Sequence, residues 1–250
     1  MQYQQGESDL AYVKGKWYLL ATCDIPDSEQ GEIVDALGIK LDIGAIASDS
    51  DGQSFSDDGI EASRQWYAKR RNVLQSVGTK SAKHRLRKLS SKQAKFQKDT
   101  NHVISKQLVT KAKATQRGIV LEDLKGNSKT VRREERRLRQ FQRSKHGNWS
   151  FNQLHQFLTY KSILYGVRLT LVDPAYPSPT CNQCGHCEKT NRQSQVEFVC
   201  RSCGHSDLTA VNAAKNIKAA STERLGLVNR PMVSTLFVSG TSPAPVGGGS

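Results

Sequence analysis

Two copies of one short motif, Cys181-Asn-Gln-Cys184-Gly-His186 and Cys200-Arg-Ser-Cys203-Gly-His205, form the most informative stretch of the sequence. Fifteen residues separate Cys184 from Cys200, a spacing typical of a four-thiolate zinc ribbon. Each Cys-x-x-Cys turn brings two thiolates together, and the glycine that follows allows the chain to turn tightly. The sequence therefore predicts that Cys181, Cys184, Cys200 and Cys203 hold one structural Zn²⁺.

The cysteines allow two other interpretations. Cys187 lies three residues after Cys184 and makes a further Cys-x-x-Cys, although the repeated Cys-Gly-His favours the first pairing. A pair of disulfides would require an oxidising compartment, which a basic chain without an apolar leader does not indicate. We expect His186 and His205 to be polar turn residues beside the thiolates, and Cys23 to be a buried thiol.

Positive charge is concentrated in one segment. The net charge is +14, and residues 64–113 contain 15 Lys or Arg against one acid, Asp99, so the remaining residues sum to zero. Such a segment is either a solvated helix face or a surface that follows phosphates. Together with a zinc ribbon in the same chain, it indicates nucleic-acid binding.

The chain contains no run of roughly 18 apolar residues, the length that a membrane span requires. Its first residues are neither basic nor apolar enough for a signal peptide. We therefore expect a soluble protein of the prokaryotic cytoplasm, associated with the nucleoid and not with a membrane.

Apolar periodicity divides the chain into alternating strands and helices, an order that is typical of an α/β layer fold. Residues 221–250 are polar and rich in Gly, Pro and Ser, and we expect a disordered tail there. The predicted elements are a strand over 11–25, a buried strand over 37–48 with a hairpin turn at Asp51-Gly52 into 53–56, two basic helices over 61–115 with a break at 78–80, a strand over 118–124, a charged helix or loop over 132–145, a helix capped by Ser150, a strand over 167–172 and a helix over 210–219.

Several short motifs resemble, in the same order, the TnpB/OrfB proteins of insertion sequences, which are RNA-guided transposon endonucleases. The matching residues are Gly38-Ile39-x-Leu41 with Ala47 and Asp51-Gly52, then Val120-Leu121-Glu122-Asp123-Leu124, Asp173-Pro174-Ala175-Tyr176, the ribbon, and Val211-Asn212-Ala213-Ala214-Lys215-Asn216-Ile217.

The resemblance implies a domain order. Residues 1–35 would be the remnant of an N-terminal β-rich, wedge-like domain, shorter than the family's lobe that reads the target-adjacent motif. Residues 36–180 would form a ribonuclease-H-like RuvC domain with the basic helical insertion at 61–115. The ribbon would occupy 181–205 and the last RuvC helix 206–220.

The resemblance also implies a catalytic site that this chain has largely lost. RuvC nucleases hold two Mg²⁺ ions with three carboxylates. Glu122 matches the second acid of the family. Lys40 stands where the family has its first Asp, and Ala210 where it has its third. A lysine at that position removes a ligand and adds repulsion toward a cation.

Two neighbouring acids are candidates for displaced ligands. Asp42 lies on the same strand face as Lys40, about 6.5 Å further on. Asp207 precedes Ala210 by three residues. Either is otherwise an ordinary polar residue near a strand or turn end, and octahedral Mg²⁺ at roughly 2.1 Å tolerates little displacement.

The resulting prediction is a transposon-type TnpB/OrfB-like protein that binds guide RNA and DNA without efficient cleavage. The alternatives are an active RNA-guided endonuclease that uses the displaced acids and needs Mg²⁺, or a decayed transposase fragment. Trp66 and Trp149 are candidates for base stacking, although tryptophan is more often part of a core. The candidate phosphate contacts are Lys69, Arg70, Arg71, Arg85, Arg87 and Lys88.

Overall fold

The structure is a computed structural model that describes residues 4–13, 15–24, 28, 32–42, 45–55, 58–123, 149–172, 179–194 and 196–221. Its elements alternate much as the sequence predicts. In chain order they are β1 (Gln4–Val13), β2 (Lys16–Asp24), β3 (Asp35–Asp42), β4 (Ile46–Asp49), α1 (Asp58–Val77), α2 (Lys80–Ala114), β5 (Arg117–Glu122), α3 (Phe151–Tyr165), β6 (Leu169–Val172), β7 (Glu197–Val199), β8 (Ser206–Leu208) and α4 (Thr209–Ser221).

A four-stranded sheet in the order β4-β3-β5-β6 forms the centre of the fold. β4 is antiparallel to β3, whereas β3, β5 and β6 run parallel to one another. The strands β1 and β2 form a separate hairpin, and β7 pairs with β8 within the cysteine-rich segment. The predicted mixed α/β class is confirmed at this level.

Helices cover both faces of the sheet. Alternate residues of each strand point to opposite faces, so one strand can contribute to an apolar cluster on each side. On one face Leu37 and Ile39 pack with apolar residues of α2 and α3, among them Leu108 and Leu158. On the other face α4 covers a smaller apolar cluster, which contains Ala36, Val120, Val172 and Ile217.

Two predicted single strands are in fact pairs. The segment predicted as one strand over 11–25 contains the end of β1 and all of β2, the two strands of a hairpin that turns at Gly15 with a φ of +81°. The segment predicted as one strand over 37–48 contains β3 and β4, paired with Asp42 opposite Ile46. Both strands are largely buried, so their apolar residues form one run that hides the turn.

The predicted turn at Asp51-Gly52 is confirmed by a φ of +93° at Gly52 and by Asp49 N donating to Gln53 O at 3.0 Å. The two basic helices are also confirmed, with Thr79 capping α2 through a 3.1 Å hydrogen bond from Ala82 N. Ser150 precedes α3, but its side chain makes no capping hydrogen bond.

Several predictions concern residues outside those described: the Cys23 side chain, the segment 132–145, Asp173 to Tyr176 and the tail from 222. Among the described helices, none combines the length and the apolar character that crossing a bilayer requires.

Candidate functional site

Lys40 and Glu122 form an ion pair toward the carboxyl ends of two adjacent parallel strands. Lys40 Nζ donates to Glu122 Oε2 at 2.7 Å and to Oε1 at 2.8 Å, and each side chain is only 17% exposed. The strand register, with Ile39 beside Leu121, places the two residues at equivalent positions. The ammonium of Lys40 is therefore the cation that Glu122 binds.

Helix α4 approaches β3 closely at Gly38. A Cβ built on Gly38 would lie 2.1 Å from Ala214 O and 2.6 Å from Lys218 N, so only glycine fits. Lys218 Nζ reaches further toward the start of the strand and donates to Asp35 Oδ2 at 2.6 Å. The helix therefore runs antiparallel to β3.

This crossing brings Ala210 toward the ion pair. Ala210 lies four residues before Ala214, which corresponds to about 6 Å of rise, and Lys40 lies roughly 6.5 Å beyond Gly38 along the strand. Ala210 shares the face of Ala214 because the two are four residues apart. These distances predict that position 210 lies near positions 40 and 122, of which only position 122 carries a carboxylate.

The two candidate displaced acids lie on different strands. Asp207 lies on β8, where its Oδ2 accepts from Lys215 Nζ at 2.6 Å and lies 3.8 Å from His205 Nε2. Asp42 ends β3 on the face of Lys40. A role for either acid in binding a metal stays a prediction.

The four predicted cysteines converge. The Sγ atoms of Cys181, Cys184, Cys200 and Cys203 all lie within 4.8 Å of one another, with 3.8 Å between Cys181 and Cys203 and 3.5 Å between Cys184 and Cys200. Tetrahedral zinc with bonds of about 2.3 Å would separate its sulfur ligands by about 3.8 Å. The donor set therefore fits a tetrahedral, thiophilic metal ion.

The two knuckles share one backbone pattern. In the first, Gly185 N donates to Cys181 O and Cys181 N to His186 O; in the second, Gly204 and Cys200 repeat these bonds. Gly185 and Gly204 have φ angles of +75° and +72°, a conformation that favours glycine. Cys187 instead lies in an isolated bridge with Thr180, outside the metal-competent group.

The thiols of the cluster resist joint ionisation. The backbone amide of His186 lowers the pKa of Cys184, but burial and the neighbouring thiols outweigh it and raise that pKa to about 12. Burial raises the pKa of Cys200, but the amides of Cys203 and Ser202 and two neighbouring thiols bring it to about 6. A bound cation would relieve this conflict, since it favours the deprotonated form of every ligand.

Two asparagines of α4 attach the ribbon to the sheet domain. Asn212 is fully buried; its Oδ1 accepts from Asn182 N at 3.0 Å and its Nδ2 donates to Thr180 O at 2.8 Å. Asn216 Nδ2 donates to the same carbonyl at 2.8 Å. These bonds hold the backbone on both sides of Cys181. In the sequence, these two asparagines stood out only as part of the family motif at 211–217. That motif does not show that they bind the backbone beside Cys181.

The basic helices α1 and α2 expose most of the predicted phosphate contacts. Arg71 differs, because it is half-buried and its guanidinium donates to Gln93 Oε1 across the two helices. We therefore assign Arg71 to the contact between the helices. The exposed members of the predicted set are Lys69, Arg70, Arg85, Arg87 and Lys88.

The two candidate stacking tryptophans differ in exposure. Trp149 is 5% exposed, and its Nε1 donates to Asn101 Oδ1 at 3.0 Å. It belongs to the core, as expected. Trp66 is 55% exposed on α1, so the expectation that it is a core residue is wrong.

Comparisons with known proteins match this arrangement. The family profile described as "Cas12f1-like, TNB domain" matches residues 151–217, which include α3, β6, the ribbon and most of α4. A CRISPR-associated endodeoxyribonuclease Cas12f1 from Sulfoacidibacillus thermotolerans is 27% identical over 244 residues, covering 90% of this chain and 55% of the relative. A CRISPR-associated endodeoxyribonuclease Cas12f2 from a Micrarchaeota archaeon is 30% identical over 177 residues, covering 68% of this chain and 31% of the relative.

A solved structure, the cryo-EM structure of a Cas12f1–sgRNA–target DNA complex, superposes with a TM-score of 0.58 at 20% identity. The superposition covers 84% of this chain and 55% of the chain in that complex. At 20% identity this similarity supports a shared fold and nothing more. The chain spans about half the length of the first two curated relatives that it matches. The predicted relationship to TnpB/OrfB-like proteins is confirmed, with these relatives named as CRISPR-associated nucleases.

Proposed function

From the chain's homology to the compact, TnpB-derived Cas12f nucleases, we propose that it binds guide RNA and DNA and does not cleave DNA efficiently. In this proposal the central sheet is a ribonuclease-H-like RuvC layer. Positions 40, 122 and 210 then correspond to its three metal-binding acids, of which Glu122 alone remains.

The Lys40–Glu122 ion pair carries the proposal of inefficient cleavage. Mg²⁺ requires several oxygen ligands in near-octahedral geometry, and a two-metal site needs enough negative charge to hold both ions. Here the one retained carboxylate already binds an ammonium at 2.7 Å, and the third position is an alanine. These residues do not fit a magnesium pair.

Nucleic-acid binding is assigned to the exposed side of α1 and α2. Lys69 and Arg70 lie on one turn of α1, and Arg85, Arg87 and Lys88 lie near the start of α2. Such residues bind phosphates and release counterions, so affinity should fall steeply with salt. In the same proposal the four cysteines hold a structural Zn²⁺ that keeps the two knuckles folded.

Binding is tested with purified full-length protein. We expect RNA recovered with the protein from cells to contain enriched species, and we expect Lys69→Glu combined with Arg70→Glu to weaken oligonucleotide binding by about tenfold or more at moderate salt. Lys16→Glu, an exposed lysine on β2, is the matched control and should bind normally. The absence of any enriched RNA together with equal affinities would contradict the proposal.

The loss of the metal site is tested by rebuilding it. Lys40→Asp combined with Ala210→Asp should bind Mn²⁺ at least about tenfold more tightly than the wild-type protein, a change of roughly 1.4 kcal/mol, measured by paramagnetic resonance. Lys40→Asp combined with Ala219→Asp is the control, since position 219 is exposed on the same helix.

Cleavage decides between this proposal and its enzymatic alternative. Wild-type protein that cuts guide-matched DNA in Mg²⁺ would overturn the non-cleaving assignment, and Asp42 and Asp207 would then be the acids to substitute. If the rebuilt variant binds Mn²⁺ but still does not cleave DNA, the loss of activity extends beyond the metal site.

A further inference from the structure

The side chain of Trp66 lies on the surface of the basic helix α1. It is 55% exposed, whereas tryptophan side chains are on average highly buried. We propose that Trp66 is a stacking platform for an unpaired nucleobase of bound RNA or DNA. This inference rests on the proposed nucleic-acid binding and names a residue that selects single strands.

The indole is supported on one side by other aromatic rings. Trp66 meets Tyr67 edge-to-face at 5.0 Å between ring centroids and 82° between planes. Tyr67 in turn lies 5.9 Å from Phe96, which lies 6.3 Å from the buried Trp149. An edge-to-face contact covers at most one face of a ring, so the arrangement anchors Trp66 and leaves area for a base.

Positive charge lies next to the exposed indole. Lys69 and Arg70 follow Trp66 by three and four residues, so they occupy the same side of α1 one turn further on, and both are exposed. A base on the indole would place its phosphates within reach of these cations. Stacking on an aromatic ring beside a basic groove is how proteins bind single strands without reading sequence.

A second copy of the chain is the other candidate occupant. Val73 and Val77 are 47% and 55% exposed and extend the apolar side of α1 from Trp66. Arg70 interrupts that side, and residues 64–113 carry 15 basic residues against one acid, so two copies would repel each other there. Charge complementarity therefore favours a polyanion.

The test compares Trp66→Ala with Trp66→Phe and with Trp17→Ala in the full chain. Trp17 is the matched control, because it is 66% exposed but lies on β2, outside the basic segment. Affinities for oligo-U, oligo-dT and a DNA duplex are measured as a function of salt. We expect Trp66→Ala to weaken single-strand binding about tenfold, with Trp66→Phe retaining most of the affinity.

The salt dependence and the duplex separate stacking from charge. The slope of log affinity against log salt should not change in Trp66→Ala, since no phosphate contact is removed. Duplex affinity should stay at the wild-type level, because paired bases are not free to stack. If Trp66→Ala weakens binding more for oligo-U than for oligo-dT, Trp66 contacts RNA; if the loss is larger for oligo-dT, Trp66 contacts DNA.

Three results would overturn the inference: Trp66→Ala keeps the wild-type affinity for single strands, Trp17→Ala loses as much single-strand affinity as Trp66→Ala, or Trp66→Ala loses as much affinity for the duplex as for single strands. A shift from dimer to monomer in light scattering, with single-strand affinity per protomer preserved, would assign Trp66 to a contact between copies. If wild-type protein binds no oligonucleotide at all, the proposed function itself fails, and this inference fails with it.

Discussion

Gly38 shows how one residue fixes the distance between two layers. It lies on the face of β3 that also carries Lys40, and the α4 atoms nearest to its Cβ position are the Ala214 oxygen, the Lys218 nitrogen and the Lys218 Cβ. The sequence identified Gly38 as part of a family motif without giving the reason. The structure supplies it: a Cβ at this position would overlap the Ala214 carbonyl oxygen.

We predict that Gly38→Ala destabilises the protein by about 3 kcal/mol, at the upper end of the usual cost of overpacking. The helix must move away from β3, because two of the three nearest atoms belong to the backbone and the third is a Cβ, so none of them can rotate aside. Gly52→Ala is the control, since a Cβ there meets nothing within 4 Å and the cost is the φ of +93° alone. Urea unfolding measures both variants, and equal costs would contradict the prediction.

Lys40 shows what the sequence could and could not give at the candidate site. The motif match identified a lysine in place of an acid, and simple electrostatics predicted repulsion of a metal ion. That Lys40 would bind Glu122 depends on the parallel pairing of β3 with β5, which brings together residues 82 positions apart. No local pattern in the sequence encodes that register.

At the scale of elements, a cluster of charges joins the turn after β4 to α2 and β5. Asp51 accepts from Arg117 through both carboxylate oxygens at 2.7 Å, and its Oδ2 lies 2.9 Å from Lys111 Nζ. Lys111 also donates to the fully buried Asp49 at 2.5 Å. Hydrogen bonding from Arg117 holds the pKa of Asp51 well below its usual range, although burial opposes it.

We predict that this cluster makes stability depend on pH in acid. Because the pKa of Asp51 is lower in the folded than in the unfolded protein, its contribution is fully present above the unfolded pKa of about 4 and is lost as pH falls from there toward the folded pKa. Asp51→Asn should therefore be less stable than wild type at pH 6, with the difference shrinking by pH 3.

Urea unfolding at several pH values measures the difference between Asp51→Asn and wild type. Asp99→Asn, at an exposed position on α2, is the comparison and should show a smaller change. A constant difference between wild type and Asp51→Asn from pH 6 to pH 3 would show that the carboxylate charge is not responsible.

The elements that the sequence predicted well are those whose ends are marked by particular residues. Helices α1 and α2 were predicted well because Gly78 and Thr79 mark the break and the cap between long periodic segments. The strands β3 and β4 were merged because both are buried and present continuous apolar residues. The metal-competent cluster was predicted fully, since both knuckles are local and carry their own glycines.

At the scale of the whole molecule, α4 connects the ribbon to the candidate site. Its first turn contains Ala210, the third position of the candidate site, and Asn212 and Asn216 hold the backbone around Cys181. Metal binding in the ribbon should therefore order α4 as well as the knuckles. The link between α4 and the ribbon is not local in sequence, since Asn212 and Thr180 are 32 residues apart.

We predict that removing the metal with a chelator increases hydrogen exchange in α4 as well as in the ribbon. In Asn212→Ala the ribbon should keep its metal, but exchange in α4 should respond less to the chelator, because two of the three hydrogen bonds that join Asn212 and Asn216 to the backbone around Cys181 are gone. Metal analysis supplies the matched pair: Cys187→Ser should retain one Zn²⁺ and Cys184→Ser should lose it. If α4 exchanges at the same rate with and without metal in the wild-type protein, the ribbon and the sheet domain are energetically independent, and the asparagine contacts only position one against the other.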